Sequence, residues 1–138
     1  MLLDTHVWLL GATAASRQIG AGARRDTDRA RRRGELFVSV VSMFEIAVLH
    51  VTGRIELALT PEAWVRESIA TSGLKVLDVG SAIALEAGAI PVTALADPCD
   101  RLLAASARHR NIPLVTRDRR VLDYARESRR VRVVDASR

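Results

Sequence analysis

The sequence predicts one α/β domain over residues 1–138, three-layer α/β/α with a central, mainly parallel sheet of about five strands. Three observations carry that expectation. Short apolar or β-branched runs recur at 1–3, 36–40, 74–79, 112–116 and 131–134. Stretches of helical periodicity separate them, so consecutive strands are joined by crossovers rather than hairpins. Several runs also stop at a hydroxyl or acidic residue placed to begin a helix, among them Asp4, Ser42 and Asp118.

Taken in order, residues 1–3 run into Asp4-Thr5, a buried strand handing over to a helix. Thr5 to Leu10 fill a helical turn or two, with Gly11 as the stop. Over 16–33, Ile19, Ala23 and Ala30 alternate with arginines, the pattern of one exposed amphipathic helix ended by Gly34. Residues 36–40 make the second strand. Ser42 stands three residues before Glu45, ahead of Ile46, Ala47, Val48 and Leu49, which is the spacing of a capping box; Gly53 closes that helix. Thr60-Pro61-Glu62 opens the next, threonine as cap and proline at the first helical position. Trp64, Val65, Ser68 and Ile69 share one of its faces, and Gly73 breaks it. After a third strand at 74–79, residues 81–90 form a short alanine-rich helix ended by Pro91. Asp97-Pro98-Cys99-Asp100 opens the longest helix, with Leu102, Leu103, Ala105 and Ser106 on its inner side. A fourth strand at 112–116 stops at Asp118, Val121, Leu122 and Tyr124 suit a short helix, and 131–134 is the last strand.

The bulk numbers narrow the class. Apolar residues make up 49% of the chain and charged residues 27%, too apolar for disorder and charged enough for a soluble domain with one core. No window approaches the roughly 18 uncharged apolar residues of a membrane span. Asp4 interrupts the start and no basic stretch precedes an apolar core, so no signal peptide is expected. Cys99, the single cysteine, has no internal partner, and a cytoplasmic location is expected. The formal charge is +5, and Lys75 is the only lysine among the basic residues. Arginine's planar fork suits phosphate, which makes a polyanionic partner one reading; solvated helix faces are the other, and charge alone does not choose between them.

Four acids share one structural grammar. Asp4 ends the first strand, Glu45 follows the second, Asp100 lies in the first turn of the long helix, and Asp118 follows the fourth strand. In a parallel sheet Asp4, Glu45 and Asp118 fall on the same edge, and Asp100 joins them if its helix begins there. Taken singly, each has an ordinary explanation as a helix cap, a capping-box partner or a charge on a helix dipole. Capping, however, needs one acid per helix and gives no reason for several helix starts to converge. Converging carboxylates repel unless one is protonated or a hard cation joins them. Mg²⁺ takes oxygen ligands and keeps several waters, so two to four carboxylates suffice. His6, His50 and His109 are scattered, and no Cys/His cluster suits zinc. Such a metal on an arginine-rich protein points to phosphodiester hydrolysis.

With those residues in view, the chain resembles the PIN-domain ribonucleases, and among them the VapC toxins of bacterial type II toxin–antitoxin systems. The resemblance spans nearly the whole chain. It rests on Leu3-Asp4-Thr5-His6, on the block from Val38 to Ala47 that holds Glu45, and on Gly53-Arg54-Ile55-Glu56-Leu57 with Trp64. Asp97-Pro98-Cys99-Asp100-Arg101-Leu102-Leu103 and Pro113-Leu114-Val115-Thr116-Arg117-Asp118 complete it. Two departures stand out: Phe44 where relatives often carry tryptophan, and no His-Gly ahead of the Asp97-Pro98 pair. The resemblance implies a PIN-like fold and a Mg²⁺-dependent endoribonuclease, with Mn²⁺ able to substitute. It assigns the metal to Asp4, Glu45, Asp100 and Asp118, with Thr5, Asp97 and Thr116 in support. It also implies a VapB-type antitoxin, an RNA substrate, and a homodimer that forms a heterotetramer or larger assembly with the antitoxin, away from any membrane. Arg101, Arg117 and Arg119 are candidates to steer the RNA backbone, against an equal reading as solvated charges.

Two other classes compete. A receiver-like domain also gathers acids at parallel strand ends, but it needs a lysine beside them, and Lys75 starts the third strand at the opposite edge. A catalytically degenerate PIN domain that only binds RNA or a partner is the alternative, and retention of all four acids argues against it. Finally, Trp8, Phe44, Trp64, Leu49, Val51 and Leu57 are more apolar bulk than a small core absorbs; part of the set is expected in an antitoxin groove or a dimer seam, or else in simple core packing.

Overall fold

In the computed structural model, which describes all of Met1–Arg138, strands β1 (Leu2–Leu3), β2 (Phe37–Ser39), β3 (Lys75–Leu77), β4 (Leu114–Thr116) and β5 (Val133–Asp135) form one sheet. Their order is β3-β2-β1-β4-β5, and every neighbouring pair is parallel. The sheet is thus parallel throughout, with β1 in the middle.

Seven helices make the crossovers: α1 (Thr5–Gly11), α2 (Ala21–Arg32), α3 (Val40–Val51), α4 (Pro61–Ser72), α5 (Ser81–Gly88), α6 (Pro98–His109) and α7 (Arg119–Ser128). Side chains on a strand alternate between faces, and here that alternation divides the core in two. Leu2 and Leu114 point to the face covered by Leu103, Ala104 and Ala107 of α6 and by Val121, Tyr124 and Ala125 of α7. Leu3, Val38 and Val115 point to the other, against Val7 and Trp8 of α1, Ala23 and Ala30 of α2, and Ile46 of α3. Trp8 donates its indole N–H to Ser68 Oγ at 2.8 Å and tilts against Trp64 at 5.4 Å. Trp8 is therefore core, and Trp64 packs half-buried against it. Phe44 and Val51, by contrast, are 63% and 84% exposed on α3 with Val48 between them. No helix is long and apolar enough to cross a membrane.

Several expected boundaries move, each for a local reason. The helix expected over 16–33 is two pieces: a 3-10 turn at Ala14–Gln18, started by Thr13 Oγ1 accepting from Ala15 N–H, and then α2. Between them Ile19 is extended and buried, and Gly20 lies so close to Arg138 that a Cβ would come within 2.2 Å of its backbone. Gly20 and Gly22, poor helix formers, were the signal for the break. Gly11 does not stop α1; it is the last residue of the helix, and Ala12 caps it.

The capping box at Ser42 and Glu45 is overturned. Strand β2 ends at Ser39, whose Oγ accepts from Val41 N–H at 3.1 Å, so α3 begins at Val40 and Ser42 lies inside it. Val40 and Val41 look like strand residues, but a satisfied helix start outweighs their β-branched preference. The last strand begins two residues later than expected and ends one later, at Asp135, since Val133 pairs with Leu114 while Val131 packs into the core. Strand β3 and helix α5 are shorter than expected, ending at Leu77 and Gly88.

Candidate active site

The register of β1 on β4 builds the centre of the site. Leu3 pairs with Val115, so Asp4, the first residue past β1, lies beside Thr116, the last residue of β4. From β1 the chain goes to β2 on one flank while β4 lies on the other, which makes this edge a topological switch point where a crevice opens. Asp4 occupies the cap position of α1 but makes no side-chain cap bond. Its Oδ2 instead accepts from Thr116 Oγ1 at 2.6 Å, and the carboxyl is only 5% exposed. Thr116 Oγ1 in turn accepts from Asp118 N–H at 3.1 Å.

A second hydroxyl chain holds Glu45. Its Oε1 lies 2.6 Å from Thr5 Oγ1, and Ser42 Oγ lies 2.8 Å from the same oxygen. Thr5 has one hydroxyl proton; given to the ionised Glu45, it leaves Thr5 to accept from Ser42. Helix α3 runs from the end of β2 and presents Ser42 and Glu45 from successive turns, so the residue that mimicked a cap is a carboxylate support.

Asp97 Oδ1 accepts from Cys99 and Asp100 N–H at 2.8 and 3.2 Å, a true cap of α6 that fixes where Asp100 begins its turn. Asp118 Oδ1 likewise caps α7 through Arg120 N–H at 2.8 Å. Arg120 also donates Nη2 to Asp118 Oδ2 at 2.9 Å and Nε to Oδ1 at 3.3 Å.

The electrostatics show that these acids share one field. Burial raises the pKa of Asp4, with the Thr116 hydrogen bond and the nearby His6 pulling the other way. Burial raises Glu45 too, against the Thr5 hydrogen bond, and the charges of Asp4 and Asp97 add to it. Asp100 is pushed up to about 7 by burial and then by Asp97, Asp4, Asp118 and Glu45. Asp118 alone among the four is lowered, because Arg120 hydrogen-bonds it. The Cys99 thiol, half-buried and in the field of Glu45, Asp97 and Asp100, is pushed up to about 11 and offers no thiolate.

These residues fit a hard divalent cation. The donors are all oxygens, and the charge of Asp4, Glu45 and Asp100 is disfavoured where it stands. No three His, Cys, Asp or Glu side chains are set to grip one ion directly. An ion here would be bound directly by one or two of these carboxylates and reached by the others through its retained waters, rather than by an all-protein cage.

Beside the acids runs an open trough of about 750 Å³ lined by Asp4, His6, Asp118, Arg117 and Arg120, with Leu9, Leu10, Ile55 and Leu57 along its floor. Of the arginines expected near substrate, Arg117 lines the trough, while Arg101 and Arg119 do not. Arg101 keeps a buried Nε without a partner, and Arg119 acts on Asp135 at the far edge strand. Pattern reading missed Ser42, His6 and Arg120. For His6 the signal was its adjacency to Asp4; for Arg120 it was a position two residues after a capping acid.

The chain is similar to known proteins over nearly its whole length. The family profile of the PIN domain matches residues 1–127. Ribonuclease VapC22 of Mycobacterium tuberculosis (strain ATCC 25618 / H37Rv) is 32% identical over 126 residues, covering 90% of this chain and 91% of that protein. Among solved structures, DNA-bound VapBC from Salmonella typhimurium superposes with a TM-score of 0.66 at 19% identity, over 97% of this chain and 96% of the matched one. VapBC2 from Rickettsia felis bound to a promoter DNA fragment gives 0.69 at 11% identity, with the same coverage. At those identities the two structures speak for the fold alone. The chain belongs to the PIN-domain family, on the branch of the VapC ribonucleases.

Proposed function

We propose that this chain, as one PIN domain over its whole length, is a divalent-metal-dependent endoribonuclease and the toxin of a type II toxin–antitoxin pair. The carrying observation is at Asp4: an acid at the strand end whose carboxylate is buried, held by Thr116, and within the field of Asp118. The identity to a ribonuclease across nine-tenths of both chains supports the reading.

Asp4, Glu45, Asp100 and Asp118 would hold Mg²⁺, or Mn²⁺ in its place. The ion would supply charge neutralisation, a lowered pKa for water and stabilisation of the leaving oxygen in phosphodiester hydrolysis. The chain's own residues prepare that site. Thr116 fixes the rotamer of Asp4, Ser42 and Thr5 fix Glu45, and Asp97 sets the turn that carries Asp100. Asp100, with its carboxyl pushed up to about 7, is partly protonated at neutral pH in the metal-free site, so loading releases a proton. Arg117 gives the RNA backbone a cationic neighbour at the trough.

The antitoxin is VapB-type, in keeping with the VapBC complexes that share the fold. The toxin acts in the cytoplasm as a homodimer, and the exposed apolar stripe of Phe44, Val48 and Val51 is the face it buries; a monomeric mass in solution would count against that assembly.

The test is RNA cleavage by Asp4→Asn and Asp100→Asn variants with Mg²⁺, and by the unaltered protein with EDTA. Each acid replaced removes part of the ion's grip, and a loss of about 100-fold or more is expected. Cleavage unchanged in either variant, or surviving the chelator, contradicts the reading.

A further inference from the structure

We infer that Arg120 is a phosphate-positioning residue of this site, parked on Asp118 while the trough is empty and passed to the RNA backbone when substrate binds. The inference rests on the nuclease reading above.

The geometry behind it is a double occupation of Asp118. Capping α7 requires only Oδ1, which accepts from Arg120 N–H at 2.8 Å. The guanidinium adds a fork, Nη2 to Oδ2 at 2.9 Å and Nε to Oδ1 at 3.3 Å. Oδ2 is therefore committed to Arg120 alone and can be freed without uncapping the helix. The Arg120 side chain is 74% exposed, and an exposed pair of this kind is held weakly, so letting go costs little.

Its place is also right. Arg120 lines the trough with Asp4, Asp118, His6 and Arg117, and Asp100 and Asp97 act on it as well as Asp118. The guanidinium thus stands at the mouth of the acid cluster. A fork that fits two carboxylate oxygens fits two phosphate oxygens equally well. A cation held by the acids would weaken the field that holds the arginine inward, and an RNA phosphate would offer the replacement partner. No such exchange is open to Arg119, which does not line the trough.

Two titrations test this. The first measures Mn²⁺ binding to the RNA-free protein and to Arg120→Ala. Removing an internal competitor for Asp118 is expected to tighten binding two- to fivefold, the span that an exposed ion pair holds back. The second measures single-stranded RNA binding, with Mn²⁺ present, by the cleavage-impaired Asp100→Asn protein and by D100N/R120A across a salt series. Loss of one phosphate contact is expected to lower the log–log salt slope by about 0.7. D100N/R120K, which keeps the charge, restores the slope, and D100N/R126A, altered at the other end of α7 where Arg126 pairs with Asp123, behaves as D100N. A purely structural Arg120 would move thermal stability and neither titration. Mn²⁺ affinity unchanged or weaker in R120A, or an unchanged slope in D100N/R120A, overturns the inference while leaving the nuclease reading intact. If the unaltered protein cleaves no RNA with Mn²⁺, the nuclease reading fails and Arg120's role with it.

Discussion

Asp4 and Glu45 are both held by threonine hydroxyls, Thr116 on one and Thr5 on the other, each within 2.6 Å. A buried carboxylate needs such donors, because an unpaired polar group away from water costs roughly 1–3 kcal/mol. Asp100 has no comparable donor, and it carries the raised pKa. A carboxyl whose folded value is about 7 against an ordinary 3.8 keeps a proton that the unfolded chain has already released. Its contribution to stability is therefore full below 3.8 and is lost as pH rises through about 7. The metal-free protein should melt progressively lower from about pH 4 to pH 7, and Asp100→Asn should flatten that decline. Asp4 and Glu45 shift in the same direction, so some slope survives; Asp118 and Asp135 shift downward and act only at more acid pH. Thermal melts across that window check this, and an equal slope in D100N would contradict it. At this scale the acids and threonines were legible, since each follows a short apolar strand or opens a capped helix. Arg120 was not. In the run Arg117-Asp118-Arg119-Arg120, composition cannot tell which guanidinium turns back on the acid, because that depends on the phase of α7.

The start of α3 shows how an element can be recognised and its cap misplaced. Ser39 and Ser42 both precede apolar helical residues, and Ser42 has glutamate at capping-box spacing. The hydroxyl that caps is Ser39, because β2 gives up its strand geometry there and Val41 turns into the core. The two serines consequently have separable roles. Ser39→Ala should lower unfolding free energy by about 1 kcal/mol and leave Mn²⁺ affinity unchanged. Ser42→Ala breaks the hydroxyl chain to Glu45 and should weaken Mn²⁺ binding several-fold, about 1 kcal/mol for one hydrogen bond. Denaturant unfolding paired with metal titration separates them, and S42A binding Mn²⁺ as the unaltered protein does would remove Ser42 from the site. The break between the 3-10 turn and α2 was harder to read. It depends on the closeness of Gly20 to Arg138, a contact between residues far apart in the chain.

Across the whole molecule, the parallel sheet does what no single element can. Its order places β1 between the strand it precedes and the strand that returns from the other flank, so Asp4 meets Thr116 and Asp118 at one edge. The fold class was legible because strand and helix patterns alternate without a hairpin. Convergence of the acids followed from that class, and it is why capping alone was too small an explanation for Asp4. What pattern could not supply was the division of apolar bulk. Trp8 is buried in one core face, bonded to Ser68 and flanked by the half-buried Trp64, while Phe44 and Val51 stay outside. The central claim, that the strand-end acids form a divalent-metal site, is tested most directly by anomalous diffraction from crystals soaked in Mn²⁺. The account predicts an anomalous peak bound to Asp4 and to at least one carboxylate of Glu45, Asp100 or Asp118. A protein that shows no peak at these acids, at Mn²⁺ concentrations that support RNA cleavage, would contradict it.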